Sequence, residues 1–344
     1  MVLNYYTRVQ MKCTIAINFF KINILLLASI LLVNCSSENP IKENMPIVDN
    51  KGSLIFMSVD TSEITIGADI SNYDYNYIVD WGDGIIDTNI TDSTVHKYTK
   101  KGTYIIKIRG EYPRLNDANT CRQMTSLEQW GSIEWKDMSN MFRRCPNLII
   151  NATDIPNLKS VKNMSGLFSP LFEFNQNISN WDVSSVENMS YMFENATNFN
   201  QDISNWNVSN VKDMGSMFAH AKSFNHPIGK WNTSNVKDMG RMFWGSDKFD
   251  QDLSHWDISS VEYKERWIFS PGHARFFGLD EMFSGVTLST ANYDALLQSW
   301  SNQSVHNNMQ FNGGYNSKYS QSSKEARSRL INEYNWTIID GGEE

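Results

Sequence analysis

Apolar and polar positions in the second half of the chain recur with a spacing of 25 residues, marked by Trp181, Trp206, Trp231 and Trp256. Phe174, Phe199, Phe224 and Phe249 share one phase, and Ile178, Ile203, Ile228 and Leu253 another. Val186, Val211, Val236 and Val261 come next, ahead of Met189, Met214 and Met239 and of the pairs Met192/Phe193, Met217/Phe218 and Met242/Phe243. Weaker copies lie upstream at Met164 with Leu167/Phe168 and, one step of 26 earlier, at Met138 with Met141/Phe142. Counting the late pair Met282/Phe283, the array holds about six units. A fixed period of roughly 20 to 50 residues marks units that cannot bury their own apolar face and must stack on their neighbours.

Within a unit the spacing predicts two short elements. Met189, Met192, Phe193 and Ala196 fall at i, i+3, i+4 and i+7, one side of a short helix. Trp181 and Val183 alternate with polar residues across Ile178 to Ser184, which predicts a strand. The expected fold is therefore an α/β repeat solenoid. Asn175, Asn200 and Asn225 are expected to form a ladder between neighbouring turns. Asp182, Asp202, Asp213, Asp238 and Asp257 recur once per unit, and repeated carboxylates are structural candidates, because an active site is a singular place.

The pattern changes outside the array. Across residues 51–112 the runs "SLIFMSV", "EITIGA", "YNYIVDWGDG" and "TYIIKIRG" predict the strands of a small all-β sandwich. Asp80 and Asp83 are too few to hold calcium, and Asp83 is expected to hold a turn by bonding its own backbone. In the closing segment 288–344, Tyr293, Leu296, Leu297 and Trp300 share a helical face behind an N-cap at Ser289 or Thr290. Ala326, Leu330 and Ile331 predict a second helix, and together the two cap the array. Lys264 stands where a Met is due, so about fifteen residues near 263–277 are an insertion. Its Trp267, Phe269, Phe276 and Phe277 are either an exposed ligand contact or a plug over the last unit.

At the N-terminus, Lys12 and Lys21 precede the apolar run Ile24 to Val33, ten residues long and too short for a helix across a bilayer, which needs about 20. Residues 1–34 read as an export signal, with Met11 as the expected start. The run ends in "LLVNC", which resembles a bacterial lipobox with Asn34 in place of the usual small residue. Cleavage before Cys35 leaves a thiol and an amine that take acyl chains, and a membrane lipid is thereby the first partner. The alternative is a plain signal peptide with Cys35 incidental. Residues 35–50 are polar, contain two prolines and read as a flexible tether. Ser36 after Cys35 favours the outer membrane.

Composition narrows the functional classes. At 344 residues, 41% hydrophobic and 20% charged, the chain is expected to fold. A formal net charge of −8 without clustered Lys or Arg argues against nucleic acid. With Cys13 in the signal and Cys35 the lipid site, Cys121 and Cys145 remain in an oxidising setting. Their separation of 24, close to one unit, favours a disulfide over two buried free thiols. His96, His220, His226, His255, His273 and His306 are scattered, and no GxSxG, HExxH or phosphate-cradling glycine loop appears. The chain is expected to be no enzyme, with no cofactor and no metal.

The stretch "FNQDISNWNVSNVKDMGSMFAHAKSFN", Phe199 to Asn225, resembles the repeat of the BspA-like family of bacterial surface proteins. "VDWGDGIIDTN" followed by "HKYTKKGTYIIKIRG" resembles the PKD-like segment that precedes those repeats, and "LSTANYDALLQSW" with "WTIIDGG" resembles their closing segment. The resemblance covers about Gly52 to Gly342. It implies a divergent leucine-rich repeat of about 25 residues per coil over 113–287, a PKD-like β domain over 51–112, and surface exposure. It also implies adhesion to an extracellular protein or cell-surface ligand. The rival readings are an outer-membrane component that captures polysaccharide and a structural envelope protein without a ligand.

Overall fold

Strand residues are dense between Leu54 and Gln129, and they build one sheet. In the computed structural model the described residues are 52–344, apart from 116–117, 144, 146–147, 263–266, 271–272 and 276. The expected leader, tether and Cys35 thus lie outside the described residues, as does Phe276. β1 (Leu54–Ile66), β2 (Asn76–Asp80), β3 (Ile86–Ile90) and β4 (Thr94–Glu111) are followed by a short helix α1 (Ala118–Gln123), then β5 (Met124–Gln129) and β6 (Ile149–Ile150). Among the described residues these form a six-stranded sheet in the order β3-β2-β4-β1-β5-β6. It is antiparallel except for the parallel pair β5 and β6, and is therefore mixed. β1 lies along β4 from Leu54 opposite Ile108 to Ile66 opposite Thr94, with register shifts on the way. Phe56, Tyr77, Val79, Trp81, Ile106 and Ile108 are buried beneath it. The sheet runs past residue 112, because β5 pairs with β1 and β6 with β5.

The expected α/β repeat solenoid, with its preceding two-sheet sandwich, is overturned. Among the described residues strand outweighs helix, 24% against 11%, in a mixed sheet, and the units contain neither the helix nor the strand that their spacing predicts. Met189 to Ala196 is a run of turns, and so is Ile178 to Ser184. The reason lies in where the backbone N–H groups go. Met189, Tyr191, Phe193 and Asn195 donate to the carbonyls of Asp213, Gly215, Met217 and Ala219 in the next unit, at 2.8 to 2.9 Å. The residues between them, Met192, Glu194 and Ala196, donate three places back at 3.0 to 3.2 Å. An α-helix needs every N–H to bond four places back along a continuous right-handed backbone. Here Tyr191 and Asn195 have φ of 60° and 59°, as do Ser216 and His220 at 57°, and each breaks that run.

The apolar spacing nonetheless buries the side chains it was expected to bury. Met189, Met192, Phe193 and Ala196 are all fully buried. Phe168, Phe193, Phe218, Phe243 and Phe283 stack face to face with centroids 5.4 to 5.7 Å apart, and a second column joins Phe174, Phe199, Phe224 and Phe249. Each such pair contributes about 0.5–1.5 kcal/mol beyond the area it buries. Trp206, Trp231 and Trp256 lie in a row, each donating its indole N–H to the carbonyl 28 residues earlier, of Ile178, Ile203 and Ile228. The inserted segment contains a hairpin of β7 (Trp267–Ser270) and β8 (His273–Arg275). The register resumes after it, with Met239 N–H bonded to Gly278 O and Phe243 N–H to Met282 O.

The closing segment holds α2 (Thr290–Trp300), β9 (Gln310–Gly314), α3 (Lys324–Tyr334) and β10 (Thr337–Asp340), with β9 and β10 parallel. α2 buries Tyr293, Leu296, Leu297 and Trp300, the face its spacing predicts. Ser289 precedes it without a side-chain capping bond and instead bonds Asp250, through its N–H at 2.9 Å and its hydroxyl at 3.0 Å. Behind the helix, the nearly buried Asp340 carboxylate receives the Tyr293 hydroxyl at 2.8 Å and the Arg327 guanidinium at 2.7 and 3.2 Å. Burial and Asp340 both push the Tyr293 phenol well above its ordinary pKa.

Candidate functional site

Most outward polar residues of the units are used to hold the units. Asn175, Asn200 and Asn225 each accept through Oδ1 the backbone N–H of the residue 25 places on, at 2.9 to 3.1 Å, and Asp250 extends the row to Ser289. Asp182, Asp202, Asp213, Asp238 and Asp257 accept the N–H two residues on, the turn that short acidic side chains favour. Lys162, Glu187 and Lys212 form an exposed ion-pair row, and Lys237 with Glu262 another. Exposed pairs of this kind are worth little energetically. Such repeated groups make a uniform surface.

One place departs from the repeat. Where the other units carry Arg143, Ser169, Glu194, Ala219 and Ser284, one carries Trp244. The Arg241 guanidinium carbon lies 4.3 Å from the Trp244 ring centroid, and the His220 ring from the preceding unit is 4.3 Å from the same indole. All three side chains are half-buried. Burial, with Lys222 nearby, holds the His220 imidazole below its ordinary range, so at neutral pH it sits uncharged beside Arg241. The packing leaves an aromatic and guanidinium surface that is partly ordered before any partner arrives. Arg and Trp are the residue types that carry most energy at protein contacts. The spacing alone offered a signal for this site, namely an aromatic ring at a phase where its counterparts are Arg, Ser, Glu and Ala.

Other residues singled out in the sequence lie apart from this cluster in the chain. Trp267 and Phe269 lie on β7, and Phe277 is half-buried where the register resumes. Cys121 on α1 and Cys145 are joined by a disulfide, with Cα atoms 4.6 Å apart. Asp80 and Asp83 close their turn by accepting the N–H of Gly82 and of Ile85, each at 3.0 Å. His96, stacked on Trp81, bonds Asp83 at 2.8 Å, and that bond lowers the Asp83 pKa against the opposing effect of burial. Among the described residues no group of three or more His, Cys, Asp or Glu is placed to hold a metal ion, and no helix is long and apolar enough to cross a membrane.

Residues 115–225 and 162–275 each match the family model described as "Mycoplasma protein of unknown function, DUF285", which places the similarity on the repeated units and the segment leading into them. No curated protein and no solved structure matches the chain.

Proposed function

We propose that this chain is a lipid-anchored protein of the cell surface that binds a protein or cell-surface ligand and carries out no catalysis. The observation that carries the reading is the cluster of Arg241, Trp244 and His220, an aromatic and cationic patch at a phase where the other units carry no aromatic ring. The leader and "LLVNC" ending at Cys35 support export and acylation. The likeness of Phe199 to Asn225 to the BspA-like repeat supports adhesion.

Attachment of bacteria to a surface coated with extracellular-matrix protein tests this reading, comparing the parent, a deletion strain, and the deletion complemented with the native chain or with Trp244→Ala. Loss on deletion, restoration by the native chain and failure of Trp244→Ala at equal surface abundance are expected. Truncating a central Trp anchor typically costs about 2 kcal/mol or more. Undiminished attachment of the deletion strain overturns the proposal and favours a structural envelope protein. Acylation is checked separately by incorporation of labelled fatty acid, which Cys35→Ser should abolish.

A further inference from the structure

The row of indoles has one gap. Trp181, Trp206 and Trp231 each stand eight residues before the Met of their unit, and so does Trp130 before Met138. Between Trp130 and Trp181, the same phase is taken by Pro156, eight residues before Met164. The pyrrolidine ring fills far less space than an indole. Trp130 and Trp181 lean together across the gap, edge to face with centroids 5.5 Å apart, and a cavity of about 290 Å³ remains beside them.

The polar groups of this cavity are unlike those elsewhere in the row. Every later Trp donates its indole N–H to the carbonyl 28 residues earlier. Trp181, only 7% exposed, makes no side-chain hydrogen bond among the described residues and lines the cavity instead. Asp154 is fixed there by accepting the N–H of Trp130 at 3.0 Å and of Gly131 at 2.8 Å, one on each oxygen. A carboxylate oxygen so bonded keeps further lone pairs for another donor. Gln176 is tied through its amide nitrogen to Ala152 O, and exposed Asn180 stands at the rim.

We propose that this cavity is a subsite for a single neutral sugar ring at the end of a glycan. Asp154 only accepts hydrogen bonds and the Trp181 indole only donates, so the ligand must present both donors and acceptors at short range, as adjacent hydroxyls do. An anion is opposed by Asp154 and by the net charge of −8. An ammonium group has no acceptor for the indole N–H. The indole rings supply the apolar side that the C–H face of a pyranose covers. The volume lies at the lower end of the range for small-molecule sites, about 300–1,000 Å³, which suits one ring. This goes beyond the proposed protein contact, since the cavity is lined by other units than those that carry Trp244, and either reading can fail without the other.

The test is a titration of the full chain, labelled with nitrogen-15 at the Trp indoles, with the methyl glycosides of glucose, galactose, mannose and N-acetylglucosamine. Acetate and ethylammonium serve as charged controls. The Trp181 resonance is identified by its loss in Trp181→Phe. At least one glycoside is expected to shift it saturably at about millimolar concentration, as expected for a single ring. Asn180→Ala, a change at an exposed position, is expected to weaken that binding about fivefold, the effect of one hydrogen bond of average strength. No shift with any glycoside overturns the proposal, and so does a shift produced only by acetate or ethylammonium. An affinity unchanged within about twofold in both Asn180→Ala and Trp181→Phe, read by saturation transfer from protein to sugar, also overturns it.

Discussion

Gly245 shows how one residue is selected by its neighbour in the next unit. Its phase is left-handed in four successive units, with φ of 59° at Asn195, 57° at His220, 66° at Gly245 and 78° at Gly285. Asn and His tolerate that backbone here, so φ alone does not demand glycine. A Cβ on Gly245 would stand 2.4 Å from Nδ1 of His220, whose ring covers the site. Gly245→Ala is therefore expected to destabilise by about 1–3 kcal/mol, from the left-handed backbone and the clash together. In the His220→Ala background only the backbone part remains. Urea denaturation of the four proteins should show non-additivity well above about 0.5 kcal/mol, and strict additivity would remove the clash from the account. Asn225 works through bonds instead, accepting Asp250 N–H at 2.9 Å and the Gln251 amide at 2.7 Å. Asn225→Ala is expected to cost about 1 kcal/mol, while Asn225→Asp retains the acceptor, as Asp250 does one unit later.

Between units a continuous column of stacked phenylalanines runs through the core. Phe218 touches Phe193, Phe243, Phe224 and Trp231 with ring centroids 4.1 to 6.4 Å apart and has no exposed surface. Phe218→Ala is expected to destabilise by about 3–5 kcal/mol in urea melts, the range for a large ring removed from a tight core. A loss below about 1 kcal/mol would mean that the units yield around the gap. These buried positions were legible in the sequence, because burial follows apolar spacing whatever the backbone does. Helix α2 was legible too, since its face from Tyr293 to Trp300 is set by local periodicity. The turns at Met189 to Ala196 were not. Tyr191, Ser216 and Arg241 take φ near 60° although none is a Gly, Asn or Asp, the types that visit that region readily. That conformation is imposed by hydrogen bonds to a unit 25 residues away. The gap at Pro156 was legible in principle, once Trp130 is counted back from Met138, whereas the patch around Trp244 needed the His220 ring placed beside it.

Across the molecule, titration ties these local arrangements to a common pH dependence. Bonds from Ser184 and Ser204 lower the pKa of Asp182 and Asp202, and the Lys212 ammonium lowers that of Glu187. A carboxyl whose folded pKa is depressed contributes stability that is present above its unfolded value, near 4, and is lost as pH falls through the folded one. Stability is therefore expected to fall steeply below about pH 4. His220 adds an earlier step of the same sign. Burial depresses its folded pKa, so the unfolded chain takes up the proton first and the folded state loses stability as pH falls below about 6.5. The expected profile of thermal midpoint against pH is level above about 7, slopes gently once pH falls below about 6.5, and drops sharply near 4 and below. His220→Asn, which cannot protonate and suits a left-handed backbone, should flatten the gentle limb and leave the sharp one in place. Because His220 rests on Trp244, protonation also brings a cation to the side of Arg241 and disturbs the proposed contact surface. Attachment through that surface should then weaken as pH falls through the lowered His220 pKa, below about 6.5, in the native chain and stay level in His220→Asn. Equal slopes in the two proteins would assign the acid sensitivity to another group.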